Sequence, residues 1–411
     1  MALIVQKYGG TSVGSVERIQ KVAENIARFK RQGHQLVVAV SAQAGTTDNL
    51  IKLAQQIDEH ASAREMDMLL ATGEQISIAL LAIALNKMGI PAVSLTGHQA
   101  GILTDGVHMK ARILEVEHER INQELAQGKV IIVAGFQGIS ADNNITTLGR
   151  GGSDTTAVAI AASLKADLCE IYTDVDGIYT ADPRIVSNPH KLKTISYDEM
   201  LELASLGAKV LHPRSVEVAK IHNVRLSVRS SFETEKEGTY VVNKEGIEKT
   251  LVVTGIASDK NTAKIGIFDV PDAPGNAAKI FETLGKYNLN VDMIIQSATR
   301  DNGVNDISFT IPKSDLAAAR DVLENLRAEV GYGEVVYSDD VAKISAVGAG
   351  MVSVPGVAAK VFTTLPQENI NIEMISTSEI KISCIIKNYE DNVARAVRSL
   401  HEAFELDKIE Q

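Results

Sequence analysis

The sequence predicts an α/β protein: a mostly parallel sheet covered by helices on both faces, followed by two copies of a small α+β unit. Three observations predict it. Short apolar runs alternate with amphipathic stretches through the first half of the chain. The glycine-rich and polar clusters stand directly behind those apolar runs. A segment of the last third repeats at an offset of 355 minus 274, or 81 residues.

The first strand is ALIV, residues 2–5, and the loop KYGGTSVGS, residues 7–15, follows it. Val16, Ile19, Val22, Ala23, Ile26 and Phe29 fall at helical spacing, and LVVAV from Leu36 is the next buried strand, ending at Ser41. The pattern returns with the strand VIIVAGF from Val130, the helix TTAVAIAASL from Thr155 and the strand LCEIYTD from Leu168. Strands that are apolar on every residue are buried on both faces, which is the habit of parallel sheets. Ligands gather at the carboxyl ends of such strands. KYGG, SAQAGTTD, GFQG, TLGRGGSD and TDVDGIYTADPR are all at those ends and converge on one crevice.

From Ser230 to Lys249 the chain is rich in charge and poor in large apolar residues apart from TYVV, which marks a domain boundary. Beyond it, PGNAAKIFETLGKYNLNVDMIIQS lies over PGVAAKVFTTLPQENINIEMISTS. Lys279 then meets Lys360, Phe281 meets Phe362, Leu284 meets Leu365, Asn290 meets Asn371 and Met293 meets Met374. Two such units alone expose sheet edges, so they pair with each other or with a second chain, and self-association is expected.

A length of 411 residues implies two or three domains, and 45% hydrophobic with 23% charged residues implies a soluble globular chain. A formal net charge of -11 without a basic cluster argues against nucleic-acid or anionic-membrane partners. Cys169 and Cys384 read as small core residues, too few for a disulfide scaffold or zinc site. MALIVQK is too short for a signal peptide and the apolar run Ile76 to Leu85 too short for a bilayer, so a cytoplasmic protein is expected.

No GxxxxGK[ST] stretch occurs, yet the loop behind the first strand suits phosphate. Gly9 and Gly10 let backbone amides approach an anion, and a helix beginning near Ser15 points its positive end there. Lys7 reaches in from the other side. The plainer alternative is a glycine turn beside a surface lysine. In TTLGRGGSD, Gly151 and Gly152 expose amides, Ser153 or Asp154 caps a helix, and Arg150 clasps a carboxylate in a fork. Glu74 opens an apolar helix, where it binds a substrate ammonium or merely complements the helix dipole. Ser41, Thr47 and Asp48 offer polar contacts. Asp174, Asp176 and Asp182 superficially match a calcium loop, but Ile185 stands at the position that needs glutamate. Gly348 and Gly350 in KISAVGAGMVS suggest a dinucleotide turn, but Ser353 replaces the last glycine.

KYGGTSVGS, VSAQAGTTD, GRGGSDTTA, YTDVDGIYTADPR and GAKVLHPRS, in this order and followed by paired repeats, closely resemble the bacterial aspartokinase family over essentially the whole chain. The resemblance implies an amino-acid kinase α/β/α sandwich at 1–230 and a linker at 231–248. It implies one ACT domain at 264–336 and a second, ferredoxin-like like the first, at 249–263 plus 337–411. It implies transfer of the γ-phosphoryl group of MgATP to the side-chain carboxylate of L-aspartate. A carboxylate nucleophile is ionised at neutral pH and needs no general base, which accounts for the lack of histidine among the clusters.

By the same resemblance Lys7 and Lys209 look like the cations on the phosphates, with Gly9 and Gly10 giving amides and Asp154 organising the lysines. Ser41, Thr173, Asp174, Tyr179 and Arg184 look like the nucleotide pocket. Thr47, Glu74, Arg150, Gly151 and Ser153 look like the aspartate pocket, with Arg150 on the α-carboxylate and Glu74 on the ammonium. Mg2+ is expected on ATP oxygens and water, with no protein-held metal site. Lysine and threonine are the implied effectors. Asp272, Gly275, Ala277, Val291, Asp292 and Gln296 line one implied effector pocket, and Val357, Ala358, Asn371 and Ile372 the other. No dehydrogenase segment follows the second repeat. The assembly is left open between a homo-oligomer and a mixed tetramer with a shorter C-terminal subunit. Two alternatives stand beside this reading: a kinase of another small acid such as glutamate, and an amino-acid sensor that no longer turns over.

Overall fold

The computed structural model describes residues 1–206, 210–243, 251–298 and 302–409. Strand β1 (Leu3–Tyr8) leads through a one-turn 3-10 helix at Gly10–Val13 into helix α1 (Val16–Arg31). Ser15 caps α1 by accepting the Arg18 N–H, and Ile19, Val22, Ala23 and Ile26 form its buried stripe. Strand β2 (Gln35–Val40) returns beside β1 in parallel.

Helices α2 (Thr46–Ile57), α3 (Ala63–Leu70) and α4 (Thr72–Lys87) follow. Residues 63–87 are long and apolar enough to cross a membrane by length and composition, where sequence analysis counted only the run from Ile76. Half of that stretch is buried inside the protein, with Leu81 and Leu85 fully enclosed, as in a core helix. Strands β3 (Ala92–Leu95), β4 (Ile102–Thr104) and β5 (Ile113–Val116), helix α5 (Glu119–Ala126) and strands β6 (Val130–Ala134), β7 (Gln137–Ser140) and β8 (Ile145–Thr147) come next. Helix α6 (Gly152–Ser163), strands β9 (Leu168–Thr173) and β10 (Thr194–Ser196), helices α7 (Tyr197–Ser205) and α8 (Pro213–Ile221), and strands β11 (Leu226–Ser230) and β12 (Thr239–Val242) complete this half.

Eight of these strands form the main sheet in the order β10-β12-β11-β9-β1-β2-β6-β3, every neighbouring pair parallel except β11 with β12. TYVV, placed in the linker by sequence analysis, is β12 within this sheet. Alternation along β1 divides the two faces. Ile4 and Tyr8 pack with residues of α1 and α4, whereas Val5 packs with Ala157 and Ile160 of α6. Lys7, two residues past Val5, therefore faces the α6 side. A separate four-stranded sheet, β5-β4-β7-β8, stands over the crevice.

The last third holds β13 (Gly255–Pro271), α9 (Asn276–Lys286), β14 (Ile294–Gln296), β15 (Val304–Pro312), α10 (Leu316–Val330), β16 (Val335–Val347), α11 (Val357–Gln367), β17 (Ile372–Ser378), β18 (Lys381–Lys387) and α12 (Asn392–Ala403). The strands make one six-stranded antiparallel sheet, β14-β15-β13-β16-β18-β17. The two long central strands are shared. Gly255 pairs with Val347 and Ile267 with Val335, so the start of β13 and the end of β16 serve the unit of α11 and α12, and their other halves serve the unit of α9 and α10. The repeat is also visible in charge. Asp292 pairs with Lys343 and its repeat mate Glu373 with Lys264, so each unit's acid takes a lysine from a shared central strand.

Candidate active site

Lys7 Nζ lies 2.6 Å from Asp154 Oδ1, and both side chains are 12% exposed. Two local decisions bring them together. Lys7 leaves β1 on the α6 side, and the left-handed Gly151 (φ 70) turns the chain into α6 so that Asp154 is in its first turn. Gly9 donates to the Tyr172 carbonyl at 3.4 Å, which sets the phosphate-type loop beside the end of β9. A Cβ on Gly10 would meet the Ala42 carbonyl at 2.7 Å, so glycine is required where this turn crosses the loop after β2.

Around Lys7 opens a cleft of about 1580 Å³. Of the expected site residues it is lined by Lys7, Ser41, Thr47, Glu74, Arg150, Gly151, Ser153 and Asp154. Glu74 is 3% exposed, and its Oε1 accepts the Ala42 N–H at 3.0 Å. Its Oε2 is buried without a hydrogen-bond partner among the described residues. Burial pushes the Glu74 carboxyl up to about 7, against the opposing pull of that backbone N–H. An acceptor oxygen enclosed in a cleft with no donor of its own calls for a donor on the ligand, and an ammonium supplies one.

Thr173, Asp174, Tyr179 and Arg184, expected with Ser41 to hold the nucleotide, lie one strand over and outside this lining. Thr173 ends β9, its hydroxyl donates to Asp174 at 3.1 Å, and its carbonyl accepts the Ser231 N–H. Tyr179 donates to Asp176, which also pairs with Lys191. Arg184 is 85% exposed and bound to Asp182 at 2.7 Å, so its guanidinium is directed at a neighbouring carboxylate rather than at the cleft. Short-range pairing wins because the two residues share one turn. Lys209 lies outside the described residues. No group of three or more carboxylate, imidazole or thiol side chains suited to a metal occurs among the described residues.

Three contributors were not singled out from sequence. The His212 ring presses on Gly151, where an added Cβ would approach it to 2.1 Å. Its Nδ1 is buried without a partner among the described residues, and burial lowers its basicity more than nearby Asp154 raises it. Arg214 donates to the carbonyls of Leu148 and Ala111 at 2.6 and 3.0 Å, pinning the start of the GRGG turn. Buried Asp67 holds His108 at 2.6 Å, Thr147 at 2.5 Å and the Met109 N–H, fixing the small sheet over the cleft. The signal for His212 and Arg214 was Pro213, which starts a helix and so puts His212 at the cap and Arg214 in the first turn.

In the repeats, Asp272, Gly275 and Ala277 lie at one end of the sheet, where Asp272 bonds the Gly303 carbonyl, and Gln296 pairs with Ile307 partway along β15. Val291 and Asp292 lie at the other end, where Asp292 bonds the Thr310 carbonyl. Helix α9, 11 residues and so roughly 16 Å long, carries the chain the length of the sheet between them. Likewise Val357 and Ala358 open α11, whereas Asn371 and Ile372 follow its far end.

Residues 2–230 match the family model of the amino acid kinase family, and residues 269–326 and 344–404 that of the ACT domain. An aspartokinase of Bacillus sp. strain MGA3 is 52% identical over 406 residues, 99% of this chain and 98% of the relative. Aspartokinase 2 of Bacillus subtilis strain 168 is 52% identical over 408 residues, 99% of each chain. Among solved structures, E. coli aspartokinase III in complex with aspartate and ADP (R-state) superposes with a TM-score of 0.83 at 25% identity, covering 98% of this chain and 99% of that one. The same enzyme in complex with lysine and aspartate (T-state) gives 0.76 at 26% identity, covering 97% and 99%.

Proposed function

The chain belongs to the aspartokinases, amino-acid kinases that carry ACT domains, and from that membership we propose a site-by-site account of how it phosphorylates L-aspartate with ATP and answers to end-product amino acids. The observation that carries it is the cleft that gathers Lys7, Asp154, Glu74 and Arg150. Glu74 Oε2 takes the substrate ammonium, and Arg150 takes its α-carboxylate in a fork. Thr47 and Ser153 border the same space, where the β-carboxylate attacks the γ-phosphorus and the bond to the β-phosphate oxygen breaks. Product is 4-phospho-L-aspartate with ADP leaving.

That nucleophile arrives ionised, so the residues position it and neutralise charge rather than move protons. Lys7 Nζ meets the transferring oxygens, and Asp154 aims it. The Gly10 amide and the N-terminus of α1 face the phosphates from the other side, the Gly9 amide being given to the Tyr172 carbonyl. Thr173, Asp174 and Tyr179 flank the rest of the nucleotide. Mg2+ enters on ATP oxygens, the described residues offering it no carboxylate cage.

The C-terminal units take lysine, threonine or both, which bind an inactive arrangement more tightly and shift the population toward it. Exposed Ile294 and Ile375 on the edge strands β14 and β17 support association through these units. We place the enzyme in the cytoplasm, where the buried free thiols of Cys169 and Cys384 stay reduced. The test is MgATP-dependent aspartyl hydroxamate formation, with L-glutamate as control and lysine, threonine, both or neither added. Activity on aspartate suppressed by effectors supports the reading; reaction with glutamate alone, or with neither acid, overturns it.

A further inference from the structure

The kinase half and the regulatory half meet at a buried joint whose centre is polar. Glu199, in the first turn of α7, is 3% exposed. Its Oε2 accepts the backbone N–H of Ser196 at 3.1 Å and the Ser196 hydroxyl at 2.6 Å, closing a capping box on its own helix. Its Oε1 accepts the Thr254 hydroxyl at 2.7 Å and the Ala349 N–H at 3.2 Å. Thr254 stands immediately before β13, and Ala349 just after β16. One carboxylate therefore holds a catalytic helix with one oxygen and the shared regulatory strands with the other.

A second contact runs beside it. The Thr180 carbonyl accepts the Ile256 N–H at 2.8 Å, and the Thr180 hydroxyl lies 2.9 Å from His401 Nε2 on α12. Ala181 and Val186 complete the joint by packing into the regulatory core with Val253, Ile256 and Leu400. Thr180 adjoins Tyr179, assigned above to the nucleotide, and Ile256, which bonds Thr180, is two residues past the Thr254 that Glu199 holds. We propose that Glu199 and Thr180 are positioning residues through which the unit of α11 and α12 sets the nucleotide end of the kinase site. The proposal rests on that nucleotide assignment.

The physical reason is that the joint cannot slip a little. Each hydrogen bond taken from a buried carboxylate costs stability, so the regulatory unit either carries α7 and the 178–186 segment with it or stays put. Motion is thereby passed to the segment that carries Tyr179, on the ATP side, whereas Glu74 stands on α4.

Thr254→Val removes one donor to Oε1 with the side-chain shape retained and the capping box of α7 untouched; His401→Leu removes the partner of Thr180. In the full-length protein, either variant is expected to weaken binding of a fluorescent ATP analogue about fivefold or more. The KM for aspartate is expected to stay within about twofold, and effectors are expected to alter nucleotide binding less than in wild type. Thr254→Ser should keep both nucleotide affinity and the effector response. Unchanged nucleotide affinity in a folded Thr254→Val protein overturns the proposal, as does equal weakening of aspartate and nucleotide. If Thr254→Val does not fold, the same outcomes in His401→Leu decide. Because nucleotide binding is read without aspartate turnover, a chain inactive on aspartate would sink the functional reading while leaving this test intact.

Discussion

Glu74 shows how a single atom's surroundings convert into measurable behaviour. Its carboxyl is pushed up to about 7 by burial, whereas an unfolded chain would hold it near 4.5. With the folded value raised, this group stabilises the empty protein fully below the unfolded pKa, and that contribution fades as pH rises through about 7. The ammonium needs the ionised form, so aspartate affinity should improve as pH rises through the same window. Glu74→Gln should flatten that profile and lower kcat/KM for aspartate by roughly 10- to 100-fold, the value of a charged hydrogen bond. A variant that keeps the wild-type pH profile of aspartate KM would remove Glu74 from the ammonium. Lys7 has the opposite signature. Its charge acts on the transition state, so Lys7→Ala should cut kcat far more than aspartate affinity, as steady-state kinetics would show.

At the scale of elements, Gly151 makes the turn into α6 possible twice over, by its positive φ and by leaving room for the His212 ring. Gly151→Ala should therefore lower thermal stability by about 1–3 kcal/mol and reduce kcat/KM, since Arg150, Ser153 and Asp154 all hang from that turn. Normal melting and normal activity together would refute the close approach. These elements differ in how far the sequence discloses them. The strands β2 and β6, and β1 and β9 apart from Gln6, Lys7 and Glu170, are legible because burial on both faces leaves an apolar run, and the repeat is legible because two units of one fold need matching apolar positions. The small sheet is not, because its strands of three or four residues carry too few positions for a period. Arg214 and His212 escaped for another reason: their roles come from carbonyls and a glycine about sixty or more positions away, which spacing cannot reveal.

At the scale of the whole molecule, the two ACT units are one sheet, and the expected effector residues differ in what they hold. Gln296 is exposed at the end of the edge strand β14. Asp292 is instead bound to Lys343, whose side chain is 7% exposed on a central strand. Removing an exposed amide from an edge costs little stability, whereas Asp292→Ala leaves a nearly buried ammonium without its partner, a change of several kcal/mol where burial is complete and less here because Asp292 itself is 48% exposed. Gln296→Ala should accordingly shift the inhibition curve while leaving the melting temperature and uninhibited activity as they were. Asp292→Ala should lower the melting temperature, and any change in inhibition should come with that loss. Unchanged inhibition in Gln296→Ala would move the effector away from this strand end. An Asp292→Ala protein of wild-type stability with altered inhibition would show that the carboxylate meets the effector directly, and that Lys343 finds its counter-charge elsewhere.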